Sequence, residues 1–186
     1  MENKEKLLNA ALFLFDEKGY QGVGIQEICN TVGVSKPTMY HYFGSKLGLF
    51  ESIFETNLSE DIKYLEREAS YNGDFVNSIQ KLTFALAECS SRNTVLYHLL
   101  FSYILSSKKS EDSEVAQKYL NKIYEITLNL FIKSKEQNGN MNNREKQFTY
   151  SYLAVVVDYL NRHDMDENKE QGLYGLLHQF QFGINS

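Results

Sequence analysis

The chain has 186 residues, of which 42% are hydrophobic, and a formal net charge of −5. This composition supports a folded core and excludes global disorder, and the net charge argues against a protein that coats nucleic acid with its whole surface. No apolar run reaches the ~18 residues that a membrane span needs, and the N-terminus has no apolar segment typical of a signal peptide. We therefore expect a cytoplasmic protein.

Apolar residues at helical spacing predict about nine helices. The first four are expected at about 4–18, 25–32, 36–43 and 46–69. The other five are expected at about 75–90, 94–106, 114–137, 143–162 and 167–182. The single proline of the chain also favours long helices over strands. We predict an all-α fold in which a continuous fourth helix joins an N-terminal domain, residues 1–55, to a C-terminal helical domain, residues 56–186.

The negative charge is unevenly distributed along the chain. The first 50 residues contain five lysines and five acidic residues, and no acidic residue lies between Asn30 and Phe50. Because charges in water are screened beyond roughly 10 Å, a local stretch without carboxylates matters more to a polyanion than the total charge does. This stretch covers the third predicted helix.

The second and third predicted helices are joined by Gly33-Val34-Ser35, a spacing typical of a helix-turn-helix. Gly33 tolerates the positive φ that such a turn requires, and Ser35 is a natural N-cap. The apolar residues expected to pack these helices on the first are Leu8, Leu12, Phe15, Ile25, Ile28, Val34, Met39 and Phe43. The third helix is then left with a polar and aromatic face that suits the major groove of DNA. Taken alone, the same pattern also fits an ordinary turn between two helices of a bundle.

The segments LLNAALFLFDEKGY (7–20) and IQEICNTVGVSKPTMYHYFGSKLGLF (25–50), with the spacing between them, resemble the N-terminal domain of the TetR family of bacterial transcriptional regulators. The resemblance implies that Tyr40 and Lys46 contact DNA phosphates and that Lys36 and Thr38 lie at the start of the recognition helix. The residues that we assign to DNA binding are Gln26, Ser35, Lys36, Thr38, Tyr40, His41, Tyr42 and Lys46.

The chain departs from the family pattern around the second helix. Val23-Gly24 stand where a threonine or serine pair is common, so a hydroxyl contact with the DNA backbone is lost there. Cys29 replaces a common alanine, and Pro37 replaces a frequent glycine. Proline is compatible with the first turn of a helix, because the N–H that it lacks has no partner within the helix. These departures put the contacts of the second helix in doubt more than those of the third.

For the C-terminal part, the resemblance implies that helices four to seven enclose an effector pocket and that the last two helices form a homodimer. The candidate ligand-binding residues are Phe84, Cys89, Tyr97, His98, Phe101, Tyr119 and Tyr124. Aromatic residues with a few hydroxyls suit a small, largely apolar ligand, although ordinary core packing explains any one of them equally well. The stripe expected at the dimer interface is Leu173, Leu176, Leu177, Phe180 and Ile184, and burial within one subunit is the alternative.

The sequence contains no phosphate-binding glycine loop, metalloprotease motif or nucleophile elbow, so we expect neither an enzyme nor a bound cofactor. Cys29 and Cys89 are expected to be reduced, and a helix-connecting loop explains His163, Asp164 and Asp166 better than a metal site. The favoured function is a dimeric repressor that a small apolar ligand releases from a pseudo-palindromic operator. A DNA-binding protein of the same fold that is controlled by a protein partner is the alternative, and a helical enzyme or carrier with an accidental motif is the third hypothesis.

Overall fold

The computed structural model describes residues 2–104, 109–135, 141–162 and 169–182. Within these ranges the regular structure is helical and contains no strand. The helices are α1 (Glu2–Gly22), α2 (Ile25–Val32), α3 (Lys36–Phe43), α4 (Lys46–Glu68), α5 (Phe75–Arg92), α6 (Thr94–Ser102), α7 (Glu111–Ser134), α8 (Glu145–Arg162) and α9 (Lys169–Phe182). The predicted all-α architecture, with a continuous fourth helix, is confirmed.

Gly19 interrupts α1 with φ 71° and ψ 157°, and the helical conformation resumes as far as Gly22. The first helix was expected to end at this glycine, so the position of the break is right, but the helix is longer than predicted. The break allows the buried Tyr20 ring to contact Phe15 and Phe50, at centroid distances of 5.4 and 5.0 Å. Gly19 therefore directs the end of α1 into the core beneath the helix-turn-helix.

The turn between α2 and α3 has the conformation that its sequence predicts. Gly33 has φ 75°, and its N–H donates to the carbonyl groups of Cys29 and Asn30, which closes the end of α2. Both helices pack on α1. Of the eight residues expected to pack this part, Ile25 and Val34 are half-buried and six are buried: Leu8, Leu12, Phe15, Ile28, Met39 and Phe43.

The chain forms two compact units. The first consists of Met1–Ser59 with Val95–Leu120, and the second consists of Glu60–Thr94 with Asn121–Ser186. Helices α4 and α7 contribute residues to both units. The functional division expected near residue 55 remains a prediction.

The second unit is packed around aromatic side chains of α5, α7, α8 and α9. Phe131 is fully buried, and its ring has neighbours on the other three helices: Phe75, Phe148, Tyr152 and Phe180. Tyr152 is also fully buried, and its hydroxyl is 2.8 Å from Thr83 Oγ1. Helix α9 packs on both α5 and α8 in this unit.

Candidate DNA-binding site

Helix α3 is held in place from one side and capped at both ends. The N-cap Ser35 accepts a hydrogen bond from the amide of Thr38 at 3.3 Å, and Pro37 lies in the first turn. At the other end, the N–H of Gly44 donates to the carbonyl of Tyr40. Met39 is fully buried, so the side chains on the opposite side of α3 are left available to a partner.

The exposed side of α3 carries most of the residues assigned to DNA. Ser35, Lys36, Tyr40 and His41 are exposed, and Thr38 and Tyr42 are half-buried. The hydroxyl of Ser35 is 2.8 Å from that of Thr38 and also caps the helix. Part of its hydrogen-bonding capacity is therefore used within the protein. The side chains on the buried side of α3 are already ordered by packing. The polar side of this short, capped helix can therefore enter a major groove without a further loss of entropy on the buried side.

The neighbouring helix α2 contributes Gln26, which is exposed and donates to Asn30 at 2.7 Å. Its one carboxylate, Glu27, pairs with Lys18 of α1 at 2.6 Å. The hydrogen bond from Lys18 lowers the pKa of Glu27 and raises that of Lys18. The last acidic residue before α3 is therefore accompanied by a positive charge, which reduces its repulsion of DNA.

Lys46 has a different environment from the other residues assigned to DNA. Its Nζ donates to the backbone carbonyl of Tyr20 and lies 4.2 Å from the centroid of the Tyr20 ring. Burial lowers the pKa of Lys46, and the negative charges of Asp112 and Glu111 oppose this shift. In this conformation its ammonium group is engaged inside the first unit, and its contact with a DNA phosphate remains a prediction.

Sequence reasoning missed the acidic residues that surround this lysine. It began the seventh helix at Glu114 and left Glu111 and Asp112 in a connecting segment, whereas α7 begins at Glu111. The earlier start is stabilised because Ser113 Oγ accepts from the Ser110 amide at 2.9 Å. Carboxylates are also favoured in a first helical turn by the helix dipole. The cluster EDSE was the sequence signal that could have revealed this start.

These acidic residues bind side chains that are distant in sequence. Tyr20 donates its hydroxyl proton to Glu111 at 2.7 Å, and Gln21 approaches Asp112 at 3.4 Å. Tyr103 donates to the other oxygen of Asp112 at 2.7 Å, and Asp112 is only 5% exposed. Burial is the largest cause of the raised pKa of both tyrosines. The end of α1 is thereby connected to the start of α7 within the first unit.

Four of the predicted ligand-binding residues belong to the first unit. Tyr97 and Phe101 are buried and make an edge contact with a centroid distance of 5.5 Å. Tyr119 is buried, and its ring centroid lies 5.6 Å from that of Phe54. The side chain of His98 is 51% exposed and its Nδ1 is 2.5 Å from a carboxylate oxygen of Asp16.

The remaining three predicted ligand-binding residues belong to the second unit. Phe84 is half-buried and lies 4.7 Å from the ring of Tyr174. Cys89 is buried, and the guanidinium of Arg92 is 3.2 Å from its sulfur. The ring centroid of Tyr124 lies 4.9 Å from that of Tyr150. The role of all seven residues in binding an effector remains a prediction.

The part of the chain that the structure describes contains no cluster of three or more metal-ligating side chains. His163, Asp164 and Asp166 lie outside the described residues. None of the described helices is long and apolar enough to cross a membrane. Both cysteines are buried, and neither forms a disulfide.

The helix-turn-helix and its supporting α1 coincide with a known family of domains. The family described as "Bacterial regulatory proteins, tetR family" matches residues 7–53, from α1 into the first part of α4. Residues 7–53 form a DNA-binding domain of the TetR family of bacterial regulatory proteins. The chain is a DNA-binding regulator of transcription, and α3 lies within the matched domain.

Relatives extend the similarity beyond this domain. The HTH-type transcriptional activator FasR of Mycolicibacterium smegmatis is 26% identical over 190 residues, which cover 98% of this chain and 82% of FasR. IcaR, the negative transcriptional regulator of the biofilm operon icaADBC in Staphylococcus aureus, is 22% identical over 167 residues, which cover 90% of this chain and 74% of IcaR.

A solved structure of another regulator shows the same fold. The crystal structure of FadR from Bacillus subtilis, in complex with stearoyl-CoA, superposes with a TM-score of 0.74 at 14% identity. The superposition covers 97% of this chain and 98% of the FadR chain. The shared fold therefore includes the helices that follow the DNA-binding domain.

Proposed function

We propose that this regulator is a homodimeric repressor whose operator affinity falls when it binds a ligand with a long, apolar acyl chain. The observation that carries the DNA-binding part is the exposed side of α3, where Lys36 and Tyr40 project from a helix anchored by Met39. Because DNA is in the cytoplasm of a bacterium, we also propose that the protein acts there. The proposed function requires recognition of DNA and a response to the ligand, and it requires no catalytic step.

A dimer is needed because one recognition helix makes few contacts with DNA. Two helices related by a two-fold axis would read half-sites about 34–36 Å apart, as in other helix-turn-helix dimers. Phosphate contacts would position the two helices, and a small number of contacts with base edges would select the sequence. The operator is therefore expected to be pseudo-palindromic.

We propose that α8 and α9 form the dimer interface through the sides that they leave exposed. On α8, Tyr150 is 64% exposed and Val155 is 38% exposed, and on α9 both Tyr174 and Phe182 are 53% exposed. The stripe expected from the sequence differs, because Leu173 and Leu177 are buried within the subunit. Leu176 and Phe180 are half-buried, and Ile184 lies outside the described residues. Exposed aromatic residues on two adjacent helices suit a four-helix interface.

The acyl chain is proposed from two considerations. FadR, which shares this fold, is described in complex with stearoyl-CoA. The candidate ligand-binding residues of the present chain are mostly aromatic, as expected for an apolar ligand. Control by a protein partner is the alternative, and FasR, an activator, shows that a relative can regulate in the opposite direction.

DNA binding is tested with the purified protein and DNA from upstream of its own gene. We expect selective binding that weakens steeply with salt, because phosphate contacts release counterions. Lys36→Gln should weaken binding to all sequences and reduce the salt slope by about 1. Lys63→Gln is the matched control, since Lys63 is an exposed lysine of α4 that pairs with Glu60 and belongs to the other unit. Equal effects of the two substitutions, or no selective binding by the wild type, would refute the proposal.

Ligand response is tested by adding stearoyl-CoA to the protein–DNA complex, with coenzyme A alone as the control. The proposal expects stearoyl-CoA to release the DNA and to raise the melting temperature of the free protein, because a ligand that binds the folded state stabilises it. Stabilisation without release of DNA would contradict the coupling. If neither stearoyl-CoA nor free stearate has an effect, the acyl ligand is wrong, and control by a protein partner is favoured.

A further inference from the structure

Tyr20 contacts Lys46 with two of its groups and α7 with a third. Its carbonyl accepts a hydrogen bond from Lys46 Nζ, and its ring lies 4.2 Å from the same ammonium group. Its hydroxyl donates to Glu111 at 2.7 Å, so the position of the ring depends on the first turn of α7. All three residues belong to the first compact unit, and Tyr20 is 3% exposed.

The same lysine is the one that the family resemblance assigns to a DNA phosphate. In the present conformation the Tyr20 carbonyl uses one of the three N–H donors of Lys46, and the ammonium group lies against the Tyr20 ring, so these contacts compete with a phosphate for the lysine. We propose that Tyr20, held by Glu111, retains Lys46 inside the first unit, and that the regulator must release this lysine to bind DNA with full affinity. This inference rests on the proposed DNA-binding function and adds an autoinhibitory contact to it.

The energetics favour an exchange of this kind. A cation over an aromatic ring, with a carbonyl acceptor, is stabilised by contacts of modest strength that a phosphate can replace. Asp112 and Glu111 add negative charge near the retained lysine, and a bound phosphate would have to compete with both. Because the competing contacts involve α7, any displacement of its first turn that separates Glu111 from Tyr20 should raise the affinity for DNA.

Two exposed glutamates in the first turn of α7 provide a matched pair for the test. Glu111 contacts Tyr20, whereas Glu114 is exposed on the same turn. Glu111→Gln and Glu114→Gln remove the same charge, but only Glu111→Gln replaces the charged acceptor of the Tyr20 hydroxyl by a weaker, neutral amide oxygen. The difference between the two variants therefore reports this contact and not the total charge of the protein. We expect Glu111→Gln to bind the upstream DNA about threefold to tenfold more tightly than Glu114→Gln does. Its salt slope should be steeper by about 1, since one more phosphate is contacted.

A double-substitution cycle tests whether the effect passes through the lysine. In a Lys46→Gln background, Glu111→Gln should no longer increase DNA affinity relative to Glu114→Gln. Tyr20→Phe keeps the ring but lacks the hydroxyl, and it should reproduce the effect of Glu111→Gln. Equal affinities of the two glutamine variants, or an effect that persists without Lys46, would overturn the inference.

A measurement without DNA separates this inference from the proposed function. Lysine acetylation of the free, folded protein, followed by mass spectrometry, should show Lys46 protected in the wild type and in Glu114→Gln, and more reactive in Glu111→Gln. Unchanged reactivity of Lys46 would overturn its retention by Tyr20 and Glu111. If the wild type bound no DNA selectively, the proposed function would fail, while the acetylation pattern would still decide whether the lysine is retained.

Discussion

Both compact units have buried aromatic rings, but the first also contains hydrogen bonds from tyrosine hydroxyls to carboxylates. In the first, the hydroxyl groups of Tyr20 and Tyr103 reach the carboxylates that begin α7, across 91 and 9 positions of the chain. In the second, Phe131 is surrounded by aromatic rings from three other helices. The unit that carries α3 therefore adds polar contacts with α7 to its apolar core, and the aromatic rings around Phe131 dominate the other.

This difference matters for a regulator because the two kinds of contact respond differently to a ligand. A hydrogen bond to a carboxylate can be exchanged for one to water or phosphate, whereas a buried ring has no equivalent partner in solvent. We infer that adjustments of DNA affinity are made most easily in the polar contacts of the first unit. The aromatic packing of the second is expected to set the stability of the fold.

The largest effect is expected from breaking the aromatic packing. Phe131→Ala removes a fully buried ring and should lower the free energy of unfolding by about 3–5 kcal/mol. Ile132, the next residue along α7, is 41% exposed, and Ile132→Ala should cost about 1 kcal/mol or less. Urea denaturation of both variants provides the measurement. Similar losses in the two variants would mean that Phe131 does not hold the packing together.

An intermediate effect is expected from removing one tyrosine hydroxyl in each unit. Tyr103→Phe leaves the buried carboxylate of Asp112 with a 3.4 Å side-chain contact from Gln21 among the described residues, and should cost about 1–3 kcal/mol. Tyr152→Phe should cost less than about 1 kcal/mol, because Thr83 still donates to the carbonyl of Ile79. The same denaturation experiment compares them. An equal or reversed order would show that the hydroxyl–carboxylate contact of the first unit contributes no more than the hydroxyl contact of the second.

The smallest effect is expected from a partly exposed polar contact of the second unit. Tyr64 donates its hydroxyl proton to Glu88 at 2.6 Å, and this hydrogen bond is the largest cause that raises the pKa of Tyr64 to about 12. Because the raised pKa favours the neutral form, the contribution to stability is fully present below the ordinary pKa of about 10 and is lost as the pH rises towards 12.

Tyr64→Phe should therefore lower stability by only a few tenths of a kcal/mol at neutral pH, since solvent screens the contact. The difference between wild type and variant should shrink between pH 10 and about 12. Thermal unfolding across this pH range checks the prediction. A difference that grows with pH would show that the hydroxyl acts in its ionised form instead.

Local physics explains which features of the fold could be predicted. Apolar residues recur at helical spacing, Gly33 suits a left-handed turn, and Ser35 suits an N-cap, so the positions of α2 and α3 follow from neighbouring residues. The burial of Met39 and Phe43 also follows, because these residues lie on one side of a short helix. The outward side of α3 could therefore be assigned to DNA from its pattern.

The surroundings of Lys46 and the buried side of α9 were decided only by the tertiary structure. The family resemblance assigns Lys46 to a DNA phosphate. Its contacts with Tyr20, in contrast, depend on a break in α1 and on the start of α7. Leu173 and Leu177 form an apolar stripe that fits either a dimer or a monomer core, and the packing on α5 and α8 selects the core. The sequence by itself determined the helices and the exposed side of α3, because those depend on residues a few positions apart. Which partner each polar or apolar side chain meets depends on segments that are distant in the chain, and only the folded structure brings them together.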